Sequence, residues 1–230
     1  MKLLWPDAAA GSPEVDRAMK LYSYFRSSAG WRVRIALALK GLDFDLVPVH
    51  LLRDGGEHLK PDYAKTNPQG LVPALEVDDK VFTQSLAIME YLEETYPEPS
   101  LLPGDAARRA EIRAFCQAIA CEIHPLNNLR ILKYLVRDLG HDEETKLAWY
   151  AHWIREGFGP VERLLEREEG PYCFGAQPTL ADACLVPQVF NAERFNVDLS
   201  DFPKVRAVNA ACLDLEAIAA TVPSLQPDAE

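Results

Sequence analysis

Between Pro97 and Gly104 the chain changes character, and this change restricts its fold more than any other feature. Before it, strand-like and helix-like segments alternate. After it, every periodic segment reads as helix. The stretch between, with Pro99, Pro103 and Gly104, has the composition of a linker. The expected organisation is a mixed α/β domain over residues 19–97, a linker over 98–104 and an all-helical domain over 105–230. A chain of 230 residues can bury a core in each part.

In the first part, residues 21–24 read as a short strand and 26–30 as a loop. Residues 31–40 carry Val33, Ile35, Ala36, Leu37 and Leu39, a helix with a largely buried face, and Gly41 ends it. Residues 44–49, rich in β-branched and aromatic side chains, form a second strand. Asp54-Gly55-Gly56 is turn chemistry, and 57–66 is expected as a short irregular helix. Residues 75–77 and 80–83 pair as a hairpin around Asp78-Asp79. Residues 85–96 form an amphipathic helix with Leu86, Met89, and Leu92 or Tyr91 turned inward. The order is βαβ followed by ββα.

In the second part a long helix starts at Asp105, a good N-cap, and carries Ile112, Phe115, Ile119 and Ile123. Pro125 is expected to kink or break it. Residues 142–168 form another helix. Thr179 to Asp182 resembles a capping box and opens a buried helix through Cys184, Leu185, Val186, Val189 and Phe190. A last helix is expected over 202–220. Residues 1–18 have no sustained periodicity and read as a disordered leader, the working protein beginning at Met19. Pro6 and Asp7 interrupt the apolar start before a signal-peptide core forms, and no run is long and apolar enough to span a bilayer.

The formal charge of -11 argues against a nucleic-acid binder, which would carry a basic face. It also means that an anionic substrate needs a local group of arginines or lysines, because the average field repels it. The five cysteines form no CxxC pair and no zinc spacing. With no secretory signal, they indicate free thiols in a reducing, cytoplasmic compartment. The histidines show no metal spacing, and glycine-rich phosphate loops are absent.

Three places carry candidate chemistry. Val72-Pro73 joins a loop to a strand. A cis bond there would turn the Val72 backbone toward an extended peptide ligand, whereas base rates favour trans, only ~5–6% of X–Pro bonds being cis. Ser85 stands at a helix N-terminus, either as a plain cap or as part of a carboxylate site. Ser27 and Ser28 precede the helix expected from Trp31, where the positive helix end and a hydroxyl donor would stabilise a thiolate. His124, directly before Pro125 at the expected helix break, is placed for a binding role.

Taken together, these segments resemble a known family. Tyr22-Ser23-Tyr24-Phe25-Arg26-Ser27-Ser28 and Trp31-Arg32-Val33-Arg34-Ile35-Ala36-Leu37 look like the signature of zeta-class glutathione transferases. Asn67-Pro68-Gln69-Gly70-Leu71-Val72-Pro73-Ala74-Leu75, Gln84-Ser85-Leu86-Ala87-Ile88 and Asn191-Ala192-Glu193-Arg194-Phe195 match it as well. The resemblance runs from about Lys20 through Gln226-Pro227-Asp228. Members act as maleylacetoacetate isomerases in tyrosine and phenylalanine catabolism, and bacterial maleylpyruvate isomerases are close relatives.

The resemblance implies the glutathione transferase fold, a thioredoxin-like domain followed by an all-α domain, usually as a homodimer, with Pro73 cis. It implies glutathione as cofactor, lending its thiolate for reversible addition to a cis-alkene and leaving unconsumed. By motif position Ser28 would hydrogen-bond the sulfur, with Ser27 beside it. Val72 would pair with the cysteinyl backbone, and Gln84 and Ser85 would hold the γ-glutamyl end. His58, His124, Asn128 and Arg130 occupy positions that line the glutathione and substrate cleft. Arg26, Arg130 and Arg194 are the candidates for substrate carboxylates. The family pattern is often Ser-Ser-Cys, but Ala29 follows Ser28 here, so no protein thiol stands at that position. The alternatives are isomerisation of maleylpyruvate, conjugation or dehalogenation of small electrophilic acids, and a non-catalytic interaction module of transferase-like fold.

Overall fold

A computed structural model describes residues 18–230 of the chain; the expected leader, apart from Ala18, lies outside the described residues. The first strand, β1 (Met19–Ser23), buries Met19, Leu21 and Ser23 on one face, the period of two that a sheet against a core requires. It is followed by α1 (Ser28–Lys40), β2 (Asp45–Pro48), a short α2 (Pro61–Thr66), β3 (Ala74–Val77), β4 (Lys80–Thr83) and α3 (Ser85–Thr95). The sheet order is β2-β1-β3-β4. β1 pairs parallel with β2, with Leu21 opposite Leu46, and antiparallel with β3, where Leu21 faces Leu75. The parallel pair needs a crossover, which α1 supplies. This is the βαβ–ββα order that the hydrophobic patterning predicts and the thioredoxin-like arrangement that the resemblance implies.

Two details of the predicted elements are corrected. Helix α1 begins at Ser28 instead of Trp31, because the Ser27 hydroxyl accepts from the Gly30 N–H at 3.1 Å and starts the helix early. It ends as expected on Gly41 in the left-handed region (φ 63). In α3 the inward residues are Ile88, Met89 and Leu92, while Leu86 is only half-buried.

The chain divides into two units, the first running to Leu101 and taking in Asp214–Glu230, the second spanning Leu102–Leu213. The C-terminal segment, expected in the helical domain, therefore belongs with the first unit. Trp31 Nε1 donates to Thr221 Oγ1 at 2.7 Å, and the Phe25 N–H donates to Asp228 Oδ2 at 2.9 Å. The helix expected over 202–220 is correspondingly split into α8 (Pro203–Leu213) and α9 (Glu216–Ala219).

Part of the expected linker is also built into the first unit. Lys40 and Glu93, both buried, form an ion pair of 2.7 Å. Lys40 Nζ also donates to the carbonyls of Tyr96 and Pro99, and Glu93 accepts from Ser100 Oγ and the Leu101 N–H. Burial alone would raise the Glu93 pKa, but the hydrogen bonds from Lys40, Ser100 and Leu101 outweigh it and hold the carboxyl below its ordinary value. Buried charges persist only when paired in this way.

In the second unit α4 (Ala106–Gln117) is capped by Asp105, whose carboxylate accepts from the Arg108 N–H at 2.9 Å. Its inward face carries Ile112 and Phe115, and Ile119 and Ile123 continue it through a π-helical turn, Ala118–Ile123. The break expected at Pro125 is a 3-10 turn, His124–Asn127, followed by α5 (Leu129–Arg137). Gly157 lets α6 (Glu143–Leu165) approach this region, since a Cβ there would collide with the Ile123 side chain. Helix α7 (Leu180–Arg194) opens with the predicted capping box, Thr179 and Asp182 each accepting from the other's backbone end of the turn. Among the described residues no helix is long and apolar enough to cross a membrane.

Candidate functional site

The residues nominated from the sequence fall into two groups, one in each unit. In the first unit they gather at the starts of α1 and α3 and in the loop before β3.

At α1, Ser27 is the N-cap and Ser28, buried, is the first helical residue. The loop leading to them is held from several sides. The Ser27 N–H donates to the Tyr24 carbonyl at 2.9 Å, and buried Arg34 donates to the Phe25 carbonyl at 2.9 Å. Burial lowers the Arg34 pKa to about 10, with nearby Asp228 acting against the shift. The Arg26 guanidinium lies 4.8 Å over the Phe25 ring and donates to the Tyr24 hydroxyl at 2.8 Å. Arg26 thus has protein partners, and its proposed hold on a substrate carboxylate would compete with them.

At α3 the cap position belongs to Gln84, and Ser85 is the first helical residue. Gln84 is exposed, has φ 69 and ψ 114, and makes no side-chain cap hydrogen bond. A non-glycine residue at positive φ is uncommon, and such strain gathers at functional positions. Its side chain turns instead to the loop before β3, Gln84 Nε2 donating to Gln69 Oε1 at 2.8 Å. Ser85 is buried, and its hydroxyl oxygen accepts from Arg32 Nη1 at 3.2 Å.

The loop that carries Val72 is pinned by buried Asn67 and by Tyr63. Asn67 Nδ2 and the Tyr63 hydroxyl both donate to the Leu71 carbonyl at 2.7 Å. Burial pushes the Tyr63 phenol up to about 12. The Val72–Pro73 peptide is cis. The ladder between β1 and β3 begins at Ala74, so Val72 lies outside it. His58 sits half-buried in the 3-10 turn Glu57–Leu59 beside this loop, and a Cβ on Gly70 would stand 3.2 Å from its carbonyl oxygen.

In the second unit, His124 opens the 3-10 turn and is half-buried. Asn128 caps α5 by accepting from the Arg130 N–H at 3.1 Å, and Arg130 itself is exposed. The turn is tied to α6: Asn127 Nδ2 donates to the Tyr150 carbonyl at 3.2 Å, and Trp149 Nε1 donates to the Leu126 carbonyl at 2.8 Å. Arg194 is exposed at the end of α7, its guanidinium 4.6 Å over the Phe195 ring. Phe195 stacks on Tyr150 with centroids 3.9 Å apart. Burial raises the Tyr150 phenol to about 12, while Arg194 pulls it the other way by charge and hydrogen bond. Both the His124 turn and Arg194 therefore lean on Tyr150.

Sequence reading assigned no role to Tyr150 or Arg32. Tyr150 was detectable only as an aromatic with a polar head on a buried helix face, which needs a partner. Arg32 was detectable as a charge within an otherwise apolar helix run. A cavity of about 310 Å³ in the second unit, lined among others by Phe115, Leu165, Cys173 and Phe174, contains none of the nominated residues. Among the described residues no cluster of His, Cys, Asp or Glu could hold a metal ion, and Cys116, Cys121, Cys173, Cys184 and Cys212 form no disulfide.

Chemically, the first unit offers two helix starts that stabilise negative charge. Ser28 suits a thiolate, and Ser85 with the first-turn N–H groups of α3 suits a carboxylate. Between them Val72 stands outside the β1–β3 ladder, before the cis bond to Pro73. A short peptide with a thiol and an anionic end fits this set of donors.

Comparison with known proteins points the same way. Residues 21–100 match the glutathione S-transferase N-terminal domain family. The chain is 50% identical over 211 residues to maleylacetoacetate isomerase of Pseudomonas aeruginosa, covering 91% of this chain and 98% of that protein. The holo structure of a maleyl pyruvate isomerase, a bacterial glutathione S-transferase of the zeta class, matches with a TM-score of 0.89 at 49% identity, covering 92% of this chain and 100% of that one. A maleylacetoacetate isomerase of Methylobacterium extorquens AM1, solved with bound malonate and GSH, matches with a TM-score of 0.87 at 38% identity, covering 92% and 99%.

Proposed function

The chain belongs to the zeta-class glutathione transferase family that includes the maleylacetoacetate isomerases, and from that premise we propose that it is a glutathione-dependent cis–trans isomerase converting maleylacetoacetate to fumarylacetoacetate. The observation that carries this reading is the pair of serine-bearing helix starts, Ser28 in α1 and Ser85 in α3, the second left without a side-chain cap.

When bound, glutathione supplies a thiolate whose reversible addition to the cis double bond permits rotation and release of the trans product. The residues of the chain do the rest. Ser28, at the positive end of α1, donates its hydroxyl to the sulfur and keeps it ionised, with Ser27 fixing the helix start beside it. Val72 pairs with the cysteinyl backbone. Ser85 and Gln84 hold the γ-glutamyl end at α3, and His58, His124, Asn128 and Arg130 line the binding surface. Substrate carboxylates need arginine forks, all the more in a chain of charge -11. Arg130 and Arg194 are best suited because they are exposed, whereas Arg26 is half-buried against Tyr24 and Phe25; Arg194 also leans on Phe195 and Tyr150. The M. extorquens relative, bound to malonate and GSH, supports a dicarboxylate as the substrate class.

Maleylpyruvate is the second reading, favoured by the likeness to the zeta-class maleyl pyruvate isomerase. Incubating the protein with each maleyl substrate, with and without glutathione, separates the readings. Glutathione-dependent formation of the trans product, with the glutathione recovered, supports isomerisation, and the faster substrate identifies which isomerase it is. Isomerisation unaffected by omitting glutathione overturns the mechanism. Net glutathione consumption without isomerisation identifies a conjugating or dehalogenating transferase, and no turnover at all a binding module. We further assign the protein to the cytoplasm, in aromatic amino-acid catabolism, as a homodimer. A sedimentation mass near 25.7 kDa would overturn the dimer.

A further inference from the structure

Arg32 has no part in the reading above, yet it is placed where it governs that reading's carboxylate subsite. It lies in α1 at 1% relative exposure, and its Nη1 stands 3.2 Å from Ser85 Oγ. A guanidinium can only donate, so the Ser85 oxygen must be the acceptor in this contact. A hydroxyl carries a single proton, and with its oxygen engaged by a cation that proton is free to be donated elsewhere. It is located at the first residue of α3, a helix start with no side-chain cap. The hydroxyl proton and the first-turn N–H groups therefore share one requirement, an external acceptor. An anion satisfies it best, because the buried charge of Arg32 and the helix dipole have the same sign there.

The position of Arg32 along α1 adds a second constraint. It follows Ser28 at i+4 and so lies on the same helix face, about 6 Å further along the axis. One face of one helix thus carries the hydroxyl for the thiolate end and the guanidinium behind the carboxylate end.

We infer that Arg32 is a positioning residue for recognition of the γ-glutamyl α-carboxylate: it orients the Ser85 hydroxyl as a donor and makes α3's start selective for an anionic head group. The inference rests on the glutathione reading and deepens it.

Two ligands test it, glutathione and γ-aminobutyryl-cysteinylglycine, the same tripeptide without its glutamyl α-carboxylate. Arg32→Met is expected to weaken glutathione binding by about tenfold or more, the worth of a charge-assisted hydrogen bond. Its affinity for the analogue should stay within about twofold of wild type. In a Ser85→Ala background the same change should have little further effect, because both residues act through one hydroxyl. Equal losses for the two ligands, or a full additional loss in Ser85→Ala, would overturn the inference and leave the glutathione reading standing. Wild-type protein that bound no glutathione would instead overturn that reading, and this inference with it. Should Arg32→Met fail to fold, Arg32→Lys carries the same test: selective loss on glutathione supports the inference, and equal loss on both ligands overturns it.

Discussion

Helices α1 and α3 both start on a serine, and the two starts are built differently. At α1 the preceding Ser27 closes the helix with its own hydroxyl, which accepts from Gly30 at 3.1 Å. At α3 the preceding Gln84 is held at φ 69, gives no side-chain cap and turns toward Gln69. Helix α7 extends the contrast, its start sealed by Thr179 and Asp182, with Asp182 fully buried. A helix that only has to fold satisfies its own first turn. The start of α3 leaves that turn without a side-chain cap, at a residue of positive φ, and so is open to the ligand role proposed for it.

Changes at these helix starts should accordingly separate stability from binding. The largest effect is expected where the cap is purely structural. Asp182→Ala leaves the N–H groups of Cys173 and Thr179, each 2.8 Å from the carboxylate, buried without that acceptor. It should lower unfolding free energy by about 3 kcal/mol or more, read from the urea midpoint. A loss under about 1 kcal/mol would mean that this start is not sealed from within. Next is Ser28→Ala, expected to reduce kcat about a hundredfold while glutathione affinity changes far less, as for loss of a donor to developing charge. Equal losses in kcat and affinity would remove its distinction from a simple binding residue.

Ser85→Ala should behave in the opposite way, weakening glutathione about tenfold with kcat at saturation nearly preserved, at a cost of about 1–3 kcal/mol in stability because buried Arg32 Nη1 loses this acceptor. Unchanged glutathione affinity in this variant would show that the start of α3 does not hold the ligand. The smallest effect is expected at Ser27→Ala, about 1 kcal/mol of stability from a lost N-cap. Ser27→Asp, which can still accept from Gly30, should recover most of it.

How much of this was legible in the sequence depended on the range of the interaction. The capping box at Thr179–Asp182, the cap at Asp105, the stop at Gly41 and the break at Pro125 all arise within a few residues, and each was read correctly from spacing. The start of α1 was misread because Ser27 and Ser28 are equivalent as letters, and only geometry shows which caps and which enters the helix. The inward face of α3 was misread at Leu86, since one turn of periodicity does not say where the sheet lies. The attachment of Arg26 to the Tyr24–Phe25 pair was not legible, because it depends on ring placement that no pattern encodes.

By itself the sequence determined the strand and helix order, the change to all-helix after Pro97 and the motifs that place the chain among zeta-class transferases. These depend on local propensity and on the periods of two and 3.6 residues, which are written along the chain. Tertiary structure alone decided that Asp214–Glu230 returns to the first unit, where Thr221 meets Trp31 and Asp228 meets Phe25. It also decided that Arg32 reaches Ser85, 53 positions away. Such contacts are chosen by which buried polar groups the packed elements bring within hydrogen-bonding distance, and a buried donor must take the acceptor that packing provides.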